Sequence, residues 1–227
     1  LFDIYKRGSV GEVLAIFTVF VLLYAIEAKA VWLVSIFSAI LILSHNSLAA
    51  LFLPLILLYL FIRKRSELLI PVILGVGITM FFWFPAIYEQ QFVLFPIISV
   101  SHPEQYFIDI SKIFLFGFVN ILAFFIVLRN GKKSIVRTFF LWVFGVGIVM
   151  ATAISSPVWS APIVGRLFQF PYRFISLTLV AGPWLIAWSE TVVKKENKKG
   201  FIAAIFFLLF FPAYSIMSHI DFVDRLD

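Results

Sequence analysis

The 227-residue sequence contains no cysteine and very few charged residues. Without cysteine there are no disulfides, thiolate metal sites or cysteine nucleophiles. Charged residues make up 13% of the chain and hydrophobic residues 63%, whereas a soluble domain has about 25% and about 45–50%. A soluble domain of this size must cover its surface with polar groups, so it cannot hold that much apolar side chain. The composition excludes soluble, disordered and collagen-like proteins and predicts a multi-pass membrane protein whose main partner is the lipid bilayer.

The few charges divide the sequence into long uncharged runs. These runs cover residues 13–26, 30–62, 68–88, 113–128, 138–165, 174–189 and 200–220. Crossing the hydrocarbon core takes about 20 helical residues. The run 30–62 would form a helix of about 50 Å, too long for one ordinary span. We therefore predict two helices with a break at its only polar cluster, Ser44-His45-Asn46-Ser47; the alternative is one long tilted helix.

From these runs we predict an all-α fold, a polytopic transmembrane helical bundle with about seven to eight spans. Residues 1–227 would form a single transmembrane domain. The chain begins without Met and stops shortly after a predicted span. We therefore expect it to be an internal or C-terminal part of a longer membrane protein.

The basic residues predict the orientation of the spans. Lys and Arg recur after every second span: Arg63, Lys64, Arg65; Arg129, Lys132, Lys133, Arg137; Lys194, Lys195, Lys198 and Lys199. The positive-inside rule places these loops in the cytoplasm and residues 89–112, 155–173 and 218–227 outside. Orientation also explains the net charge of +6, since no basic stripe of the kind that binds nucleic acid is present.

The unusual polar residues then collect on the outer side of the cell membrane. They are Arg7, Glu12, His45, Glu89, His102, Glu104, Asp109, Arg166, Arg173 and His219. The basic loops on the other side carry little beyond orientation anchors. We therefore predict that a functional site, if there is one, faces the extracytoplasmic side.

Arginines are the best candidates for binding an anion. Arg166 and Arg173 flank an aromatic turn containing Pro171 that opens a predicted helix, and helix N-termini favour anions. A guanidinium suits phosphate because its fork matches two phosphate oxygens. This pattern predicts a phosphate or pyrophosphate clamp; the alternative is simple anchoring at the interface. Arg7 has the same two interpretations.

The carboxylates leave more than one interpretation open. Glu89 follows the aromatic segment 81–88 and is either a general base at the membrane surface or a solvated acid. Ser9 and Glu12 match the S-x-x-E capping box, which favours a capping role for Glu12 over a catalytic one. Residues 101–110 are expected to form a short interfacial helix. No metal-ligand spacing, Walker loop or G-x-S-x-G sequence is present.

Several segments together resemble a known family. They are Tyr5-Lys6-Arg7-Gly8 followed by Glu12, Leu43-Ser44-His45-Asn46, Phe82-Trp83-Phe84-Pro85-Ala86 with Glu89, and Phe168-Gln169-Phe170-Pro171-Tyr172-Arg173-Phe174. In this order they resemble polytopic membrane proteins labelled "6-pyruvoyl-tetrahydropterin synthase-related", which are similar to the GT-C superfamily of membrane glycosyltransferases. The resemblance covers about residues 1–180.

The resemblance implies transfer of a sugar from a polyprenyl-phosphate carrier to an acceptor outside the cell membrane. By matching position, Arg7, His45, Asn46, Glu89 and Arg173 would line the outward cavity, with Glu89 as the best remaining catalytic carboxylate. Some GT-C enzymes use a divalent metal, and the sequence leaves that cofactor open. The alternatives are a transporter or flippase for a lipid-linked or anionic substrate, with Arg166 and Arg173 in its path, and a non-catalytic membrane subunit.

Overall fold

The computed structural model describes residues 9–89, 92, 103–109, 116–130, 133–193, 197–203 and 205–206, and all regular structure within them is helical. The predicted all-α class is confirmed. The described α-helices between residues 9 and 193 are α1 Val10–Ala28, α2 Val31–Ser44, α3 Asn46–Ile62, α4 Leu69–Ile78, α5 Met80–Glu89, α6 Phe118–Asn130, α7 Ile135–Ala151, α8 Ser156–Trp159, α9 Pro162–Phe168 and α10 Ile175–Val192. Short 3-10 turns lie at Ser66–Leu68, Pro103–Tyr106, Ala153–Ser155 and Pro171–Phe174.

The first three helices fold back and forth through two tight turns. Lys29 ends α1 in the left-handed region, with φ of 55°. His45 is extended and separates α2 from α3, which confirms the predicted break within the run 30–62. Because Glu12 lies near His45 at one end and Glu27 lies near Tyr59 at the other, α1 and α3 run parallel and α2 runs antiparallel to both.

A second break falls where the sequence predicts one uninterrupted span. The run 68–88 divides into α4 and α5, which are bent by 61° at Thr79. The carbonyl of Val76 accepts hydrogen bonds from the Thr79 hydroxyl at 2.9 Å and from the Trp83 indole at 2.9 Å. These side chains replace a helical hydrogen bond that the bend removes, so the break leaves this carbonyl satisfied.

Helices α6, α7 and α10 form a second packed group. Phe140 of α7 stacks on Trp184 of α10 with ring centroids 4.8 Å apart. Gly147 lies about two turns further along α7 and packs against Thr178 near the start of α10. The two helices are therefore antiparallel. Tyr59 of α3 contacts Phe140 at 5.8 Å, which joins this group to the first one.

The apolar helices are compatible with a membrane location. Among the described residues, two helical segments, Val10–Ala28 and Pro171–Val192, are each long and apolar enough to cross a bilayer, and the number rises to four if each bent pair is one span. The second bent pair is Ile135–Ala151 with Ala153–Trp159, at 82°. The count of about seven to eight spans stays a prediction.

The two ends of the bundle differ in charge. One end, here called the basic end, carries Lys29, Arg63, Lys64, Arg65, Arg129 and Arg137. Arg137 is buried there and donates to the carbonyl of Val127 at 2.7 Å, which satisfies the C-terminal end of α6. At the other end, here called the cluster end, the start of α1, the α2–α3 break and the turn before α10 come together.

Candidate functional site

Three polar side chains from distant parts of the sequence meet at the cluster end. Glu12 comes from the first turn of α1, His45 from the α2–α3 break, and Arg173 from the 3-10 turn before α10. We call these residues the Glu12 cluster. Each lies where a helix begins or ends, so its side chain can reach across the ends of neighbouring helices. The fold thus gathers polar groups that the sequence scatters over about 160 residues.

Glu12 is the centre of the cluster. Its Oε1 atom lies 3.5 Å from His45 Nε2 and 3.6 Å from Arg173 Nε. The side chains of Glu12, His45 and Arg173 are only 8%, 19% and 12% exposed. A carboxylate this deep is stable as an anion only when positive charge or N–H donors surround it. Arg173 supplies the charge, and His45 supplies a second contact.

The hydrogen bonds of His45 determine which ring nitrogen carries its proton. Its Nδ1 accepts a hydrogen bond from the backbone N–H of Leu48 at 3.3 Å, as the N-cap of α3. An accepting Nδ1 is unprotonated, so in the neutral ring the proton sits on Nε2, the atom that faces Glu12. His45 therefore caps a helix with one nitrogen and can donate to the carboxylate with the other.

Arg173 ties three segments together. Its Nη1 donates to Ser47 Oγ at 2.9 Å, to the Phe168 carbonyl at 2.9 Å and to Gln169 Oε1 at 2.7 Å. Its guanidinium carbon lies 5.1 Å from the centre of the Phe170 ring, a cation–π contact. The turn 168–173 wraps around this one cation, since Gln169 adopts a left-handed φ of 62°. Arg173 thus holds the turn against both α1 and α3.

The structure gives Glu12 partners that the capping box does not predict. Ser9 is the N-cap of α1, but its side chain accepts no capping hydrogen bond. Glu12 instead is buried and faces His45 and Arg173. Ser47 and Gln169 are hydrogen-bonded to Arg173 and were not among the predicted site residues. A signal for Glu12 was available, because an ionisable residue beside an apolar helical run is rarely placed there without a partner.

The other predicted site residues have different positions. Asn46 begins α3 next to His45 and is exposed. Glu89 ends α5 and is exposed, and no hydrogen bond or ion pair within the described ranges joins it to the Glu12 cluster. Arg166 lies in α9, whose backbone leads into the Arg173 turn. Arg7 and His102 lie outside the described residues.

The predicted short interfacial helix is much shorter than expected. Within residues 103–109 the structure has one 3-10 turn, Pro103–Tyr106, followed by non-helical backbone. Ile108 is buried, and its N–H donates to the Ala151 carbonyl at 2.8 Å. That contact with the end of α7 accompanies non-helical backbone at residues 107–109.

A close approach of backbones holds Glu12 at His45. A Cβ added to Gly11 would lie 2.5 Å from the Ser44 carbonyl oxygen, so only glycine lets α1 come this near to the α2–α3 break. We expect Gly11→Ala to destabilise the protein by about 1–3 kcal/mol, because backbone must move to make room. Thermal unfolding in detergent, followed by tryptophan fluorescence, measures this.

The matched control is Gly145→Ala in α7. A Cβ there meets nothing within 4 Å, so alanine should leave stability unchanged or raise it by up to about 1 kcal/mol through its helix propensity. Equal melting temperatures for Gly11→Ala and Gly145→Ala would contradict the close packing at the cluster end.

The described residues do not fit a divalent metal ion. In the part of the chain that the structure describes, no three His, Asp or Glu side chains come together as a ligand set. The Glu12 cluster offers one carboxylate and one imidazole, and the guanidinium of Arg173 beside them repels a cation. The arrangement suits an anion or a proton instead.

A second polar cluster, at the basic end, has a different character. Glu27 accepts hydrogen bonds from the Tyr59 hydroxyl at 2.5 Å and from Arg63 Nε at 2.6 Å, and its second oxygen contacts Arg63 Nη2. Both carboxylate oxygens are thus used within the protein. We interpret this cluster as a structural contact that holds the C-terminal ends of α1 and α3 together.

No family model, curated protein or solved structure matches the chain significantly.

Proposed function

We propose that the chain belongs to an integral-membrane glycosyltransferase of the GT-C type. It would transfer a sugar from a polyprenyl-phosphate carrier to an acceptor on the extracytoplasmic side of the cell membrane. The observation that supports this most is the buried contact between Glu12 and Arg173 at the cluster end of an apolar bundle. It combines a proton acceptor and a phosphate-binding cation within one site, which transfer from a phosphate-linked sugar requires.

The charges of the bundle support an outward site. The basic end carries the anchors that the positive-inside rule places in the cytoplasm. The Glu12 cluster lies at the opposite end, with its cation buried next to Phe170 instead of extended into water. An outward-facing cluster therefore agrees with the orientation predicted from the sequence.

In the proposed reaction Arg173 binds the carrier phosphate. As the bond between sugar and phosphate oxygen breaks, negative charge grows on the phosphate, and a fixed guanidinium in a partly dry site stabilises it. Phosphate and Glu12 compete for the same cation. Once the phosphate has taken its place at Arg173, the Glu12 carboxylate accepts the proton of the attacking hydroxyl. This assigns to Glu12 the base role that the sequence assigned to Glu89.

The remaining predicted residues complete the proposal. His45 keeps a proton on Nε2 towards Glu12 and steadies its position. Asn46 and Arg166, on the elements beside His45 and Arg173, are proposed to bind the substrate, as is Arg7. Glu89 would then contact the acceptor.

The test is sugar transfer by the protein reconstituted in lipid vesicles, with Arg173→Lys as the variant. Lysine keeps the charge but loses the forked geometry, so we expect kcat to fall by about 100-fold or more. Donors are decaprenyl phosphates carrying radiolabelled glucose, mannose or N-acetylglucosamine. Glu190→Gln, which alters an exposed ion pair with Lys198, should leave transfer unchanged. Wild-type rates in Arg173→Lys would refute the phosphate role.

The broken helices favour a transporter as the second candidate. Two helix pairs are bent by 61° and 82°, and α2 and α3 are separated at His45. Discontinuous spans of this kind are typical of transporters, whose substrates bind at the breaks. The two candidates differ in vesicles that contain a fluorescent, glycosylated polyprenyl phosphate. A flippase moves this lipid between leaflets with its sugar attached, whereas a transferase releases bare carrier.

A further inference from the structure

Three aromatic rings from two separate segments form a group beside Arg173. Tyr106 meets Phe170 edge-on with ring centroids 4.9 Å apart, and Phe170 stacks on Tyr172 at 5.2 Å. Tyr106 and Tyr172 are 6.4 Å apart. Phe170 is also the ring that Arg173 covers. We call Tyr106, Phe170 and Tyr172 the aromatic platform, and it is continuous with the Glu12 cluster.

The platform is held in place but is not part of the buried core. The hydrogen bond from Ile108 to Ala151 fixes the segment that carries Tyr106. Tyr106 is 39% exposed, and Phe170 and Tyr172 are half-buried. Core rings at the same end, Trp159 and Phe174, are each only 4% exposed. The platform rings therefore keep accessible surface that the neighbouring core rings do not.

This surface has the chemistry that a sugar ring needs. A pyranose presents a face of C–H bonds, which carry partial positive charge, and a rim of hydroxyl groups. The faces of aromatic rings are negative and attract such C–H bonds while excluding water from them. The hydroxyls need donors and acceptors at the edge, which the tyrosine O–H groups and the exposed carboxylates of Glu104 and Asp109 on the same segment can supply.

The short distance between the aromatic platform and Arg173 indicates which part of the substrate the platform would contact, namely the sugar ring next to the phosphate. In a phosphate-linked sugar the ring is joined to the phosphate through a single oxygen. A phosphate at Arg173 therefore places the sugar within one ring width of the guanidinium. The centroid of Phe170 lies 5.1 Å from the guanidinium carbon, and Tyr106 and Tyr172 both contact Phe170, so the two tyrosine rings lie close to that position.

We propose that the rings of Tyr106 and Tyr172, held beside Arg173 by their contacts with Phe170, bind the pyranose ring of the phosphate-linked sugar whose phosphate is held by Arg173. This inference rests on the proposed function and adds to it the site that distinguishes a glycosylated carrier from a bare one. In this proposal the polyprenyl chain of the carrier contacts the apolar, lipid-facing surfaces of the helices.

The test compares binding of bare decaprenyl phosphate with binding of the same lipid carrying glucose, mannose or N-acetylglucosamine, in nanodiscs. Wild-type protein should bind at least one glycosylated lipid about three- to tenfold tighter than the bare one. Tyr106→Leu and Tyr172→Leu keep apolar volume but remove the flat ring, so they should lose this preference while keeping the affinity for bare lipid. Tyr106→Phe and Tyr172→Phe should retain it.

The controls separate failure of the platform from failure of the proposed function. Tyr24→Ala removes an exposed tyrosine of α1 and should keep the preference. Arg173→Gln should weaken binding of bare and glycosylated lipids alike. Equal binding of all lipids by the wild type, or a preference that survives both leucine variants, overturns the platform alone. Absence of binding to every lipid phosphate overturns the proposed function, and the platform with it.

Discussion

Replacing Arg173 with alanine is expected to destabilise the protein by about 3–5 kcal/mol, because it removes a buried cation that lies beside the buried carboxylate of Glu12. Three hydrogen bonds from Nη1 disappear as well, so the turn 168–173 loses its attachment to Ser47. His45 compensates only in part, since its neutral ring offers Glu12 one N–H. Chemical unfolding in detergent micelles measures the loss.

A double variant identifies the source of this loss. Glu12→Gln removes the negative charge that Arg173 faces, so the double variant should be more stable than Arg173→Ala alone. We expect a coupling energy of about 1–3 kcal/mol between the two positions. Strictly additive effects would mean that Arg173 acts through the turn and not through Glu12.

Replacing Glu27 with alanine is the second large expected effect, at about 1–3 kcal/mol. The ion pair with Arg63 contributes little of it, since the two side chains are 28% and 35% exposed and solvent screens their attraction. The larger part comes from Tyr59, which is 1% exposed and would keep a buried hydroxyl without its acceptor. Thermal unfolding in detergent measures the change.

Two variants make the Glu27 result specific. Glu190→Ala also removes a carboxylate paired with a basic residue, but both partners are well exposed, so we expect less than about 1 kcal/mol. Glu27→Ala leaves the buried Tyr59 hydroxyl without the acceptor that it has in the wild type. Tyr59→Phe removes this hydroxyl, so the double variant should be more stable than Glu27→Ala alone. Equal melting temperatures for Glu27→Ala and Glu190→Ala would refute a structural role of the Glu27 cluster at the basic end.

Several local features could be predicted from the sequence because their causes are local. The break at His45 follows from a polar cluster inside a run too long for one span, and the structure has the break at that residue. The turn at Pro171 opens α10 as expected, because proline is favoured where a helix begins. Neither feature needs knowledge of what lies next to it in space.

The bend at Thr79 and the role of Glu12 could not be predicted in the same way. Glycine, threonine and proline are tolerated inside membrane helices, so the run 68–88 looks like one span until Trp83 and Thr79 are seen to satisfy Val76. Ser9 and Glu12 match a capping box in spacing, yet Glu12 turns towards Arg173, about 160 positions later in the chain. A local pattern cannot distinguish those two partners.

The sequence by itself determined that this is an apolar helical protein whose few charges divide into basic anchors and a separate polar set. That follows because hydrophobicity and charge act through composition and short-range periodicity. Only the tertiary structure decided which of the polar residues meet. The pairing of Glu12 with His45 and Arg173 depends on a close approach at Gly11 and on parallel packing of α1 and α3. A buried charge is stable only beside its partner, and that partner is chosen by the packing of helices distant in the chain.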